Sequence, residues 1–239
     1  MFTVSVWNLK GGTAKSTTVL NLGAAIAQSG IKTLLIDLDG QRTLSFSLGL
    51  DGAEPTVLDW LDGTTDPLNT SVNQLSLIPG DLGMFKLSAD NDLISKSLKG
   101  LIGYDLCVMD CPPSLGLPSV QSVLNADAVL LPTLCEPASL KGISEAIALI
   151  RGERPDVPIQ VLRTRYKSRL VLSREADDML ISGAVDLNYH LLHNTIPENV
   201  AIAESIAQQV PVGDYDKKSP GAVAYRSLAK ECRKVWGLA

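Results

Sequence analysis

The 239-residue sequence has no CxxC pair, no long apolar run and no excess of positive charge. No apolar run approaches the roughly 18–20 residues needed to span a bilayer, and the first residues show neither a basic segment nor a cleavage site. The four cysteines are Cys107, Cys111, Cys135 and Cys232, and three of them lie in apolar runs typical of buried strands. We therefore expect core thiols in a reducing compartment, a cytoplasmic location and no membrane contact.

Overall charge limits the classes of partner. The net charge of -5 argues against a surface covered in nucleic acid, although it permits a local basic patch. Hydrophobic content of 45% with 20% charged residues is ordinary for a globular protein, and the length suits one domain over residues 1–239.

Apolar, β-branched runs alternate with helical patterns along nearly the whole chain. Predicted strands cover 2–7, 32–38, 75–79, 105–110, 128–133, 159–164 and 189–197. Predicted helices cover 16–29, 56–61, 81–98, 118–125, 139–152, 173–182, 200–209 and 221–235. Nearly continuous apolar strands indicate a sheet covered on both faces, so we predict an α/β, doubly wound, mostly parallel sheet. Ligands of such sheets bind at the carboxyl ends of the strands.

A glycine-rich loop, NLKGGTAKSTT, follows the first predicted strand. Gly11 and Gly12 allow backbone N–H groups to converge on phosphate oxygens, Lys15 can reach the β- and γ-phosphates, and the Ser16 hydroxyl can bind Mg²⁺. The helix that begins here directs its positive end at the same anion. A turn whose lysines face solvent is the alternative, but a strand before the loop and a helix after it favour phosphate binding.

Acidic residues end two further predicted strands. Asp37 and Asp39 occur in IDLDGQRT, and they point to opposite sides if the chain is extended there, so only one would normally enter a given site. Taken alone, this pair is also typical of a solvated turn. Asp110 ends the apolar strand in YDLCVMDCPPSLG, which is the pattern of a Walker B carboxylate that holds Mg²⁺.

These segments together resemble the ParA/MinD family, whose deviant Walker A loop reads x-K-G-G-x-G-K-[ST]. The additional lysine is Lys10, and the resemblance implies that it reaches a partner's nucleotide across a dimer interface. Ala14 replaces a glycine, which costs about 1 kcal/mol if that residue must adopt positive φ. The family's D-x-D-P-Q segment implies that Asp39 orients the attacking water and that Asp37 supports the Mg²⁺ shell, with Gln41 near the γ-phosphate.

The resemblance includes two proline positions. Gly40 stands where relatives often have proline, and we expect it to loosen the acidic segment. Cys111-Pro112-Pro113-Ser114 resembles the D-x-P-P-S segment of switch II, whose prolines stiffen it.

The resemblance extends through EPASLKGISEAI, LSREADDML, NTIPENVAIAES and YDKKSPGAVAYRSLAKE, which occur in the same order in ParA proteins. It therefore covers nearly the whole chain, is strongest to ParA proteins of the Soj type, and implies ATP and Mg²⁺ as cofactors. The implied catalytic residues are Lys10, Lys15 and Asp39, and the implied Mg²⁺ ligands are Ser16, Asp37 and Asp110. The implied nucleotide contacts are Lys10, Gly11, Gly12, Thr13, Ala14, Lys15, Ser16 and Thr17 in the loop, with Thr164, Pro197, Glu198, Asn199 and Val200 near the base.

A basic segment, RTRYKSRLVLSR at 163–174, contains no acidic residue. Its cations are Arg163, Arg165, Lys167, Arg169 and Arg174, and they predict contacts with DNA phosphates without sequence preference, although a solvated loop and helix face is an equal alternative. A second candidate surface lies on the last helix, where Arg226, Lys230 and Lys234 share a face. Relatives often place basic residues where this chain has Glu198 and Ala201.

The resemblance implies a partition or positioning ATPase: ATP closes a homodimer, the dimer binds DNA on the nucleoid, and a cargo-side adaptor or centromere-binding protein stimulates hydrolysis. The cargo could be a plasmid, a chromosomal origin or a protein body. Two other classes stay open. One is a MinD-like switch on a membrane surface, although the last helix is too polar for a detachable anchor. The other is a metal-cofactor ATPase like the nitrogenase iron protein, which needs cluster cysteines such as Cys111 or Cys135 at a dimer interface.

Overall fold

A computed structural model describes residues 1–63, 66–88 and 92–238, without the side chains of Pro137, Ala138 and Leu140. Its strands form one eight-stranded sheet in the order β3-β4-β2-β5-β1-β6-β7-β8. They are β1 Phe2–Val6, β2 Thr33–Asp37, β3 Leu68–Asn69, β4 Leu75–Ile78, β5 Leu106–Asp110, β6 Ala128–Leu134, β7 Ile159–Thr164 and β8 His190–Leu191. Every neighbouring pair is parallel except β3 with β4.

Helices cover both faces of this sheet. They are α1 Lys15–Ala27, α2 Thr43–Ser47, α3 Val57–Leu61, α4 Leu93–Leu98, α5 Leu117–Leu124, α6 Pro137–Glu153, α7 Val171–Asp186, α8 Val200–Ala207, α9 Val212–Tyr215 and α10 Pro220–Val235, with a 3₁₀ helix at Leu82–Lys86. One apolar cluster joins α1 and α10 to the sheet through residues such as Leu20 and Tyr225. A second cluster on the other face includes Trp60, Ile94 and Ile147. The predicted fold class is confirmed.

The central strands are buried along their whole length, because helices pack on both sides of them. Register places Asp37 of β2 beside Asp110 of β5, and Val6 of β1 on the other side of Asp110. The carboxyl ends of β1, β2 and β5 therefore meet at one edge of the sheet. This edge brings the glycine-rich loop and both acidic segments together.

Several predicted boundaries differ from the structure. The strand expected at 189–197 forms a regular ladder with β7 only at His190–Leu191. The backbone amides of Leu192 and Ile196 still donate to β7, but those of His193 and Asn194 donate to the Glu231 carboxylate. The helix expected at 81–98 is divided into the 3₁₀ helix and α4, and its residues 89–91 lie outside the described part. The short elements α2, α9 and β3 were not predicted, since two to five residues carry little periodicity. Within the described ranges no helix has the length and apolarity needed to cross a membrane.

Candidate nucleotide-binding site

The loop between β1 and α1 exposes its backbone at the carboxyl edge of the sheet. Gly12 has φ 74°, and no atom lies within 4 Å of the position that a Cβ would take at Gly11 or Gly12. Ala14, the residue before α1, has φ 65° and ψ 36°. Ala14 therefore adopts the left-handed conformation, so the cost of about 1 kcal/mol expected for an alanine at positive φ applies here.

A cavity of about 280 Å³ lies against this loop. Its walls are Gly11, Gly12, Ala14, Lys15, Ser16 and Thr17 from the loop and α1, Asp39, Gln41 and Thr43 from the acidic segment, and Pro113. Lys15 is buried, and burial lowers the pKa of its ammonium group while Asp110 opposes that shift. Most of the residues predicted to contact phosphate therefore line one cavity, and the Lys15 side chain gives that cavity a cationic group suited to an anion.

Asp110 lies at the base of this edge and is fully buried. Neither carboxylate oxygen has a hydrogen-bond partner in good geometry among the described residues, although Ser16 and Lys15 lie near enough to favour the ionised form. Burial raises the pKa of Asp110, and the neighbouring Asp37 adds to that shift. A buried carboxylate beside a serine hydroxyl has the chemistry of a Mg²⁺ site, since hard cations prefer oxygen ligands.

Asp37 is turned toward the protein rather than toward the cavity. Its Oδ2 accepts hydrogen bonds from the backbone N of Ser45 at 2.9 Å and from its Oγ at 2.7 Å, and its Oδ1 accepts one from the backbone N of Asp39 at 3.2 Å. Burial raises the pKa of Asp37 to about 6 in spite of these bonds. Asp37 fixes the acidic segment to α2, and its support of a Mg²⁺ shell stays a prediction.

Asp39 does line the cavity. Its Oδ1 accepts a hydrogen bond from the backbone N of Gln41 at 2.9 Å, whereas its Oδ2 accepts none from any residue that the structure describes. One oxygen holds the turn, and the other is free to accept a bond from a ligand or water. The expected division between the two aspartates, with one entering the site, matches this arrangement.

Lys10 lies outside the phosphate cavity of its own chain. Its Nζ donates to Glu136 Oε1 at 2.5 Å and to Ser139 Oγ at 3.1 Å. The hydrogen bond from Lys10 lowers the pKa of Glu136. Neither partner was predicted as a site residue, and the only signal was their position in EPASLKGISEAI, immediately after β6.

A second cavity of about 250 Å³ adjoins the first through Ala14 and Thr17. The predicted base contacts Thr164, Pro197, Glu198 and Asn199 line it, together with apolar residues of α8. Thr164 Oγ1 donates to the carbonyl oxygens of Thr13 and Thr133, each at 3.0 Å, which joins this side to the loop. Val200 does not line the cavity and is 71% exposed, so its prediction as a base contact needs correction.

The basic segment 163–174 has fewer cations available for contacts with DNA than its sequence suggests. Arg163 is only 8% exposed, pairs with Asp177 at 2.6 Å, and donates to the carbonyl oxygens of Leu192 and His193, so its prediction as a DNA contact is wrong. Arg165 pairs with Glu198 at 2.8 Å, and Lys167 pairs with the other oxygen of the same carboxylate. The other two cations of this segment, Arg169 and Arg174, are exposed.

All four cysteines are buried and free. Cys111 Sγ lies 2.9 Å from Ser122 Oγ, which also contacts Ser5, and burial raises the pKa of Cys111 to about 12. Burial also raises the pKa of Cys135, to about 11. Neutral, enclosed thiols are poor metal ligands, and this favours core thiols over a cluster site.

Comparison with known proteins places this geometry in a family. A family model described as an AAA domain, AAA_31, matches residues 1–156. The chain is 31% identical over 249 residues to the sporulation initiation inhibitor protein Soj of Bacillus subtilis, covering 95% of this chain and 96% of Soj. It is also 31% identical over 249 residues to the chromosome partitioning protein ParA of Caulobacter vibrioides, covering 95% and 92%. The chain belongs to the ParA/MinD family of ATPases.

Structural similarity agrees with this assignment. The septum site-determining protein MinD of Pyrococcus horikoshii, solved as a complex with Mg-ADP, superposes with a TM-score of 0.83 at 28% identity, covering 99% of this chain and 98% of MinD. One hydrogen bond of this chain joins the end of β1 to the proline-containing segment 111–114. The indole Nε1 of Trp7, just before the loop, donates to the carbonyl oxygen of Ser114 at 3.1 Å.

Proposed function

We propose that this chain is a Mg·ATP-dependent switch that dimerises on ATP, binds DNA without sequence preference, and positions a cargo in the cytoplasm. Hydrolysis, stimulated by a cargo-side partner, would return it to the monomer. Residues 1–239 would form one ATPase domain, because every described strand belongs to one sheet. The observation that carries the proposal is the side chain of Lys10, a second lysine of the glycine-rich loop that lies outside the phosphate cavity of its own chain.

Within one chain, the phosphate cavity holds the groups that ATP hydrolysis needs. Lys15 supplies a fixed positive charge at the β- and γ-phosphates, and the backbone N–H groups of the loop bind phosphate oxygens. Ser16 and Asp110 would hold Mg²⁺, which neutralises charge on the phosphates when it is bound. Asp39 presents its free Oδ2 to the water that attacks the γ-phosphate.

The pairing of Lys10 with Glu136 supports action on a second chain. Since Lys15 already serves the cavity, Lys10 has no phosphate to contact in its own chain, and its ammonium group is neutralised by the Glu136 carboxylate. A partner's nucleotide offers several negative charges, and this can displace one half-exposed carboxylate. ATP therefore favours the dimer in which Lys10 has left Glu136.

Two variants test this exchange. Lys10→Ala should bind ATP but fail to dimerise, as measured by light scattering with ATP, ADP and no nucleotide. Glu136→Gln should dimerise at lower protein concentration than the parent, because Lys10 no longer has to leave an ion pair. A Lys10→Ala chain that dimerises on ATP and hydrolyses it normally would make Lys10 an ordinary surface lysine.

For DNA, the charges of the described residues favour the last helix over the basic segment. Lys217, Lys218, Arg226, Lys230 and Lys234 are exposed, and none forms an ion pair with a residue that the structure describes. We name these five residues the α10 surface. In the basic segment only Arg169 and Arg174 are likewise exposed and without an ion pair to a described residue. Arg226 donates to the carbonyl oxygen of Lys217 at 2.7 Å, which brings the turn and the helix together. Unpaired cations are the ones that release counterions from DNA, so we assign the phosphate contacts mainly to this surface.

A further inference from the structure

The turn that carries Asp39 borders a short segment outside the phosphate cavity. The backbone N of Gly80 donates to Ser45 Oγ at 2.9 Å, and a Cβ at Gly80 would lie 2.9 Å from Cγ of Asp37. The 3₁₀ helix Leu82–Lys86 begins directly after it, with Asp81 accepting from the backbone N of Gly83 at 2.6 Å. This segment is therefore packed tightly against the acidic residues that follow β2.

A second close approach occurs at Gly40. A Cβ at this position would lie 2.7 Å from both Cδ2 and Cε2 of the Phe85 ring and 3.0 Å from its Cγ. The φ of Gly40 is not in the left-handed region, so its backbone conformation is open to other residues. A side chain at position 40 would therefore require the Phe85 ring to move. The expectation that Gly40 loosens the segment stays a prediction, and the absent side chain leaves room for a ring that covers the turn.

The ring of Phe85 is 58% exposed, so burial alone gives little reason for its position. The ring lies against Gly40, which stands between Asp39 and Gln41 in the chain. The backbone N of Gln41 donates the hydrogen bond that holds the Asp39 carboxylate. We propose that Phe85 is a positioning residue for hydrolysis, whose ring restricts outward movement of the turn 39–41 and so keeps Asp39 directed at the attacking water. This inference rests on the proposed role of Asp39.

The physical basis is the precision that the chemical step needs. The Asp39 carboxylate is held by one hydrogen bond, to its Oδ1. Its backbone is held by the bond from the backbone N of Arg42 to its carbonyl oxygen at 2.8 Å and by the bond from its own N to Asp37 Oδ1 at 3.2 Å. A displacement of about 1 Å in a group that orients a reactant can cost roughly 100-fold in rate. Binding of ATP depends on Lys15 and the loop, which Phe85 does not line, so the effect should fall on turnover and leave affinity unchanged.

Removal of the ring is the first test. Phe85→Ala should lower kcat for ATP by about 10–100-fold with KM unchanged. Phe85→Tyr keeps the ring and should retain kcat close to that of the parent. Leu82→Ala is the matched control, because Leu82 lies on the same 3₁₀ helix and is also 58% exposed, whereas the three atoms nearest to a Cβ at Gly40 all belong to Phe85. Equal losses in Phe85→Ala and Leu82→Ala would overturn the proposal.

A double-mutant cycle tests whether the contact itself matters. Gly40→Ala should displace the ring and lower kcat, and Gly40→Ala with Phe85→Ala should lose no more than the larger single loss, because both changes remove one contact. Additive losses would contradict a shared contact.

Asp39→Ala distinguishes failure of the proposed function from failure of this inference. If it hydrolyses ATP at the parent rate, the role of Asp39 fails and the inference fails with it. If Asp39→Ala is inactive while Phe85→Ala keeps the parent kcat, only the role of Phe85 is overturned.

Discussion

The nucleotide edge and the basic segment 163–174 hold their charges in opposite ways. At the nucleotide edge, Lys15 and Asp110 are buried, and the Asp110 oxygens have no hydrogen-bond partner in good geometry among the described residues. In the basic segment, Arg163 pairs with Asp177, and Arg165 and Lys167 share the single carboxylate of Glu198. Burial of a charged group is unfavourable, and a ligand of opposite charge can compensate it. The charged groups at the nucleotide edge are therefore available to a ligand, whereas the paired cations of the basic segment already stabilise the fold.

Loss of Lys15 should have the largest effect at the nucleotide edge. Lys15→Ala should weaken ATP binding by at least about 100-fold, because it removes the fixed charge at the β- and γ-phosphates. Titration with a fluorescent ATP analogue measures this. Lys10→Ala is the matched control, since Lys10 lies outside the cavity and should leave monomer binding intact. Equal affinities of Lys15→Ala and the parent would contradict the assignment of the glycine-rich loop as the phosphate-binding loop.

DNA binding should distinguish paired from unpaired cations. Lys230→Gln with Lys234→Gln should weaken ATP-dependent binding of duplex DNA by about 10-fold or more and reduce the slope of log K against log salt by about 2, since each phosphate contact contributes about 0.9. Arg165→Gln with Lys167→Gln removes the same number of charges and should change the slope by less than about 1. The reverse order of effects would return the DNA contacts to the basic segment. A parent chain that never binds DNA with ATP at low salt would contradict DNA binding altogether.

Asp37 should give the nucleotide edge a pH-dependent stability. Its folded pKa of about 6 lies above the ordinary value of 3.8, so the folded protein binds this proton more tightly than the unfolded chain does. Ionisation of Asp37 therefore lowers the free energy of unfolding progressively as pH rises from about 4 to 6. The full loss is present above pH 6. Without nucleotide, the free energy of unfolding of Asp37→Asn in urea, relative to the parent, should rise by about 1–3 kcal/mol between pH 4 and pH 8. This change adds to a loss that does not depend on pH, because the amide cannot accept hydrogen bonds on both sides as the carboxylate does. A difference that does not depend on pH would exclude this cause.

Ala14 should give the smallest effect. Ala14→Gly should raise the free energy of unfolding by up to about 1 kcal/mol, because the cost of left-handed alanine slightly exceeds the entropic cost of glycine. Ala25→Gly, within α1 at ordinary helical φ, is the control and should lower stability by about 0.5–1 kcal/mol. Urea denaturation of both variants without nucleotide measures the contrast. Destabilisation of similar size in both would show that Ala14 is not strained.

Sequence patterns with a short range predicted the sheet and the phosphate loop well. The strand at 159–164 was predicted with the observed bounds, and Lys15, Ser16 and Asp39 line one cavity as expected. The predictions failed where the deciding contact comes from a distant part of the chain. Arg163 is separated from its carbonyl partners Leu192 and His193 by 29 and 30 residues. The pairing of Lys10 with Glu136, 126 residues away, was not predicted either, while the role of Lys10 at a partner's nucleotide stays a prediction.

The sequence by itself determined the buried parallel strands, the glycine-rich loop and the acidic residues at strand ends, because these depend on local periodicity and on residue types at fixed spacing. The tertiary structure alone decided which charges remain available. It placed Glu198 between Arg165 and Lys167, turned Asp37 toward Ser45, and set the Phe85 ring on Gly40. The physical reason is that neutralisation and steric contact depend on distance in space, and folding brings together side chains that no local pattern connects.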